Sequence, residues 1–191
     1  MKERAARLAS ILIHPAVVMV VAAAIAAGAS GSDGVWSALG AALAAAVVVM
    51  LYSGLQARSG RWAHIDASQP HERSQLNRFA SWALLGLAAG LAVMGTDRGI
   101  VVAIGLSGVI VLVGHLWRGR LKSSLHVAFA MFATCIVWPH PVAVIALLLA
   151  SAVVGWSRLA LRRHDVSELV VGAATGLVCG VVFQWVMSAP T

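Results

Sequence analysis

Ser157-Arg158, then His164, then Glu168 carry the most legible chemistry in this chain. His164 and Glu168 are spaced i,i+4, so on a helix they share a face and the carboxylate can hold the imidazole in one tautomer. The other ring nitrogen is then free to attack an electrophile or accept a proton. A second cluster, Lys122-Ser123-Ser124-Leu125-His126, opens an apolar run. Hydroxyls and free amide N–H groups at a helix start bind anions, and Lys122 adds charge. His126, just inside that start, suits a proton donor to a leaving oxygen. The third cluster, Arg61 to Arg73, is the longest polar stretch and supplies Arg73 and a second arginine, Arg61. Taken singly, each cluster also reads as ordinary structure: a basic loop with Asp165 capping a helix, a histidine snorkelling from a helix end, and a plain loop.

The elements that must position these residues are membrane helices. Of 191 residues 60% are hydrophobic and only 11% charged, and the mean hydropathy is +0.89. A soluble domain needs more charge than this to cover its surface, and two cysteines make no disulfide scaffold. Apolar runs at 10–29, 36–56, 79–95, 99–117, 124–138, 142–160 and 166–187 lack period-2 alternation and satisfy their backbone as helices. Turn clusters at 31–34 and 95–99 and the Pro139-His140-Pro141 break separate them. The expected fold is therefore all-α: a polytopic transmembrane helix bundle of about six to seven spans, one domain over 1–191, with the motif-bearing core at about 58–180. The first run also has the outline of a signal peptide, but it is as long as a full span and reads as one. Trp36, Trp62, Trp117, Trp138 and Trp185 read as interface anchors. Gly172-xxx-Gly176-xxx-Gly180 and Gly86-xxx-Gly90 read as helix-packing stripes. His14, His115 and His140 form no pattern for a haem pair.

With seven spans, 13 of the 14 Lys and Arg residues fall on one face, and Arg98 stands alone on the other. Discounting Arg73, Lys122 and Arg158 as candidate ligands leaves 10 of 11. The positive-inside tendency makes that face cytoplasmic, in a bacterial-type cytoplasmic membrane. The net charge of +7 then reflects topology and anionic headgroups rather than nucleic acid. Two spans separate the first polar cluster from the second, and two the second from the third, so all three share the basic face.

In chain order and on one face, the clusters resemble the type-2 phosphatidic acid phosphatase family of integral-membrane lipid phosphatases, whose signature runs KxxxxxxRP, PSGH, SRxxxxxHxxxD. Ser157-Arg158, His164 and Glu168 match the third motif, with glutamate for its aspartate. Ser123-Ser124-Leu125-His126 keeps the serine and histidine of the second without its proline and glycine. Arg73 stands in the first, with Asp66 in place of lysine and Ser74 in place of proline. The resemblance implies hydrolysis of a lipid phosphomonoester or diphosphate through a phosphohistidine, with no metal and no cofactor. In it His164 is the nucleophile oriented by Glu168, and His126 protonates the leaving oxygen. Arg73, Lys122, Ser124, Arg158 and the Leu125 amide hold the phosphoryl oxygens. The implied partners are a lipid phosphate substrate and membrane lipids. The particular lipid, hydrolysis as against phosphotransfer, and the oligomeric state stay open. So do two other functions: a non-catalytic relative acting as a membrane binding or scaffold protein, and a small transporter, for which an internal inverted repeat is missing. There is no HExxH, no zinc-type cysteine pair and no GxxxxGK[ST] loop.

Overall fold

The computed structural model describes residues 2–28, 31–63, 67, 69–117 and 122–190. Among these there are eight helices and no strands: α1 (Lys2–Leu12), α2 (Pro15–Ala27), α3 (Gly31–Arg58), α4 (Pro70–Val93), α5 (Arg98–Leu116), α6 (Leu125–Ile136), α7 (Pro141–Ala160) and α8 (Val166–Ser188). The fold is thus the expected all-α bundle. Five helices, α3, α4, α5, α7 and α8, are long and apolar enough to cross a membrane, and α1 with α2 makes a sixth if the pair is one span bent by 47°. These helices suggest an integral membrane protein.

Seven full spans are not reached. α6 has only 12 residues, or about 18 Å at 1.5 Å per residue, against a hydrocarbon core of about 30 Å. Its neighbours shield it instead: Phe129, Phe132 and Ala133 are buried in one core with Ile110 of α5 and Phe183 of α8. The Phe132 and Phe183 rings meet edge to face at 6.3 Å. The first run also differs, because helix begins at Lys2 and breaks before Pro15, whose ring and missing N–H cannot continue a helical ladder. Residues 31–34, expected as a turn, already form the first turn of α3, with Asp33 favourable at its positive end. Asp66 of the first motif and Arg118 and Arg120 of the charge count lie outside the described residues.

Glycines record how the helices run. A Cβ on Gly172, Gly176 or Gly180 of α8 would strike Ser124, Ala128 and Cys135 in turn, so α8 lies parallel to α6 at backbone contact. The stripe expected in the last span therefore seats α6. Gly86 and Gly90 have nothing within 4 Å and pack against no neighbour, contrary to expectation. In that helix pair the close glycines are on α5, where Gly105 faces Ala88 and Gly108 faces Leu85 in antiparallel order. At the α5 start, Gly99 lies near Met187 and the Arg98 guanidinium donates to the Ala189 carbonyl. The starts of α2, α4, α6 and α8 consequently gather at one end of the bundle with the basic residues, and Asp97, His140 and Met187 sit at the other. Trp36, Trp117, Trp138 and Trp185 are exposed, but Trp62 is buried, its Nε1–H donating to Gln75 Oε1 at 2.9 Å. Trp62 is a loop anchor, not an interface anchor.

Candidate active site

The turn between α7 and α8 aims His164. Arg162 is left-handed at φ 51°, while its N–H donates to the Leu159 carbonyl and the Arg163 N–H donates to Arg158, both at 3.0 Å. That pair of bonds is the Schellman closure of a helix end, with arginine where glycine is usual. The chain reverses within five residues and sets His164 over the first turn of α8. There Glu168 completes a capping box with Asp165. Its Oε2 accepts from the Asp165 N–H at 3.4 Å and pairs with His164 Nδ1 at 2.7 Å. Both side chains are nearly buried, 12% and 14% exposed. Opposite an ionised carboxylate Nδ1 carries the hydrogen, which leaves the Nε2 lone pair free. Burial, the largest influence, holds the His164 imidazole below the usual histidine range. The bond and charge of Glu168 pull it back up, and Arg158 and Arg73 push it down again.

One backbone bond ties this turn to the second cluster: the Ser124 N–H donates to the Glu168 carbonyl at 3.1 Å. Ser124 is fully buried, and neither its hydroxyl nor that of Ser123 has a hydrogen-bond partner. The Leu125 side chain lies with its Cδ2 against α5 at Gly114, so close that a Cβ there would stand 3.0 Å away. Gly114 thus makes room for the leucine side chain, and the Leu125 N–H, at the first helical position, has no intrahelical acceptor. His126 stands within electrostatic reach of Arg158, His14, His164 and Arg163.

The third cluster is held from within. Glu72, 1% exposed, accepts from the Ala63 N–H at 2.7 Å and the Gln69 N–H at 3.1 Å. Tyr52 stacks on Phe79 at 3.9 Å and meets Trp62 edge-on. These contacts fix the start of α4, whose first turn carries Arg73 into the same cavity as His126, His164, Lys122 and Arg158. Arg61 is exposed and does not line that cavity. Arg158 is buried; it donates one guanidinium N–H to the Ser10 hydroxyl of α1, and its Nε–H has no partner.

Sequence reasoning missed Ser10, His14 and Arg163. His14 caps α2, accepts from the Ala16 N–H at 3.3 Å, and sets its ring edge to face with His126 at 5.5 Å. Its place before Pro15 signals a helix start, but nothing in the spacing connects residue 14 with residue 126.

The cavity has a volume of about 1140 Å³. From the basic end it runs along α2, α3, α4 and α5 to Asp97, Gln184 and Met187. Ala23, Ala26, Ala42, Ala45 and Ala46 form much of its wall, and their short side chains leave it open. Among the described residues no group of three or more His, Cys, Asp or Glu side chains is set to hold a metal ion. No family model matches the chain, and no curated protein or solved structure does.

Proposed function

We propose that this protein is a metal-independent lipid-phosphate phosphatase of the type-2 phosphatidic acid phosphatase kind. The observation that carries this reading is His164, paired with Glu168 at 2.7 Å and lining one cavity with His126 and Arg158. His164 Nε2 attacks phosphorus, the bond to the lipid oxygen breaks, and His126 gives that oxygen a proton. Water then attacks the phosphohistidine while His126 takes its proton, which releases phosphate and restores both histidines. The transferring phosphoryl group spreads negative charge over three oxygens. Arg158, Arg73, Lys122, the Ser123 and Ser124 hydroxyls and the Leu125 N–H answer that charge. The charge also favours the imidazolium form of His126 that the first step needs.

The lipid nature of the substrate is supported by the apolar cavity that leads away from the cationic end. The basic residues favour the cytoplasmic side for that end. A Ser59→Cys variant lacking Cys135 and Cys179 should resist an impermeant thiol reagent in intact spheroplasts; labelling would place the site outside. The activity test is purified protein in detergent with phosphatidic acid, phosphatidylglycerophosphate and a polyprenyl diphosphate. Phosphate release that survives EDTA and is lost in His164→Ala supports the reading. No release from any of the three, or release undiminished in His164→Ala, overturns it. One observation favours a second reading: the cavity reaches both ends of the bundle, as a transport path would. Uptake into liposomes without hydrolysis would select it.

A further inference from the structure

We infer that the break between α1 and α2 is a fourth wall of the anion site, in which His14 contacts the phosphoryl group and Ser10 positions Arg158. The inference rests on the phosphatase reading for the reaction but not for anion binding. Three contacts bolt the N-terminal segment to the site. The Ser157 hydroxyl donates to the Ala6 carbonyl at 2.7 Å, Arg158 donates to the Ser10 hydroxyl, and His14 meets His126. Ala6 and Ser10 lie one turn apart on α1, and His14 follows at the break, so the segment runs along the end of α7 toward the start of α6.

Ser10 settles which nitrogens of Arg158 can serve a ligand. One terminal N–H is spent on the Ser10 hydroxyl, which fixes the plane of the guanidinium. Nε–H stays without a partner in a side chain only 4% exposed that lines the cavity. A buried cationic donor left unpaired is costly unless an anion completes it. The unpartnered hydroxyl of Ser123 lines the same cavity.

His14 has its tautomer set by the helix it caps. Nδ1 accepts from the Ala16 N–H, so the neutral ring carries its hydrogen on Nε2. The ring lines the cavity beside His126 and offers that N–H to a ligand there. A simple N-cap role needs only an acceptor, which asparagine or serine supplies. An oxyanion needs the donor, which glutamine can supply and alanine cannot. A tetrahedral oxyanion between His126 and Arg158 would thus receive donors from four segments of the chain, the N-terminal one included.

The test uses the full-length protein in detergent with two readouts: orthovanadate affinity, from thermal stabilisation, and phosphatidic acid hydrolysis. His14→Ala and Ser10→Ala should each weaken vanadate binding on the order of tenfold, as expected for one lost hydrogen bond to a charged group. His14→Gln should recover most of that loss, and Ser10→Thr nearly all. In an Arg158→Gln background Ser10→Ala should have almost no further effect, because Ser10 acts through Arg158; a merely structural role would add its cost again. Wild-type vanadate affinity in both alanine variants, or full additivity with Arg158→Gln together with no rescue by His14→Gln, overturns the inference. Vanadate binding with this variant pattern but no lipid-phosphate hydrolysis would retain the fourth wall and discard the phosphatase. Hydrolysis unaffected in both alanine variants would do the reverse.

Discussion

Small residues do opposite things on the two sides of this bundle. Along the seam between α6 and α8, Gly172 and Gly176 lie against the backbone of Ser124 and Ala128 and Gly180 against the Cys135 side chain, so that an added side chain would displace a neighbour at each. Across the cavity, Ala23 and Ala26 of α2 and Ala42 and Ala45 of α3 leave a volume of about 1140 Å³ unfilled. The seam carries His126 on one helix and aims His164 from the start of the other, so the two imidazoles of the proposed reaction are borne by helices in backbone contact. The alanine side supplies neither of those two imidazoles. Its emptiness suits an apolar chain whose head is held at the seam. In the proposed reaction the tight seam would fix the reacting groups, and the open side would leave room for the substrate.

The comparison breaks most severely at the seam. Gly176→Val should abolish folding, because its Cβ would overlap the Ala128 carbonyl and two backbones cannot both yield. Gly176→Ala brings the same Cβ without the further methyls and should cost about 3 kcal/mol or more. Gly86→Ala, with nothing nearby, should be neutral or stabilise by about 0.5–1 kcal/mol. Thermal unfolding in detergent measures all three, and equal effects at 176 and 86 would deny the close contact.

Next in size is Glu168→Gln, which keeps the shape but lets the imidazole take either tautomer and loosens the capping box. Turnover should fall about 10²- to 10³-fold, with KM little changed. Glu168→Asp should fall less if a shorter carboxylate still reaches Nδ1. A purely structural Glu168 would instead show lost stability and normal turnover per folded molecule.

pH sharpens the same site more gently. In the proposed reaction His164 attacks only as the neutral ring, and burial holds it below the usual value of about 6.5. Activity should persist below that pH and fall only at lower pH. Arg73→Gln removes one of the influences pushing it down, so the acid limb should move to higher pH. Stability follows the same sign. Between the ordinary value and the depressed one the unfolded chain takes up the proton and the folded one does not, so His164 costs stability as pH falls through that window. A single profile of kcat/KM for wild type and Arg73→Gln tests the direction.

The smallest effect belongs to the open side. Ala45→Leu should fold normally, since it fills space that is empty, and should raise KM for long-chain substrates a few-fold while sparing a short-chain phosphate. Equal KM for both chain lengths would show that the chain lies elsewhere.

What was legible in the sequence follows the reach of each signal. The i,i+4 spacing of His164 and Glu168 acts within one helical turn, and the pair forms at 2.7 Å. Parity of apolar runs was enough to bring Arg73, Lys122, His126 and Arg158 to one end, even though α6 proved too short to count as a span by length. Hydropathy cannot tell a lipid-facing helix from one wrapped by its neighbours, and this is why α6 read as a seventh crossing. The glycine spacing in α8 was informative because three positions share a face; the same spacing at Gly86 and Gly90 points to no neighbour. Ser10 and His14 were illegible because their partners, Arg158 and His126, are more than a hundred positions away and no motif joins them.

In the proposed reaction His164 becomes phosphorylated. Protein mixed with labelled phosphatidic acid and quenched in base within one turnover should yield an acid-labile label on the peptide bearing His164, absent from His164→Ala. In His126→Ala a substrate with a good leaving group should still form it, because only leaving-group protonation is lost while attack remains. Hydrolysis proceeding with no label on His164, or with the label on another residue, would contradict the account.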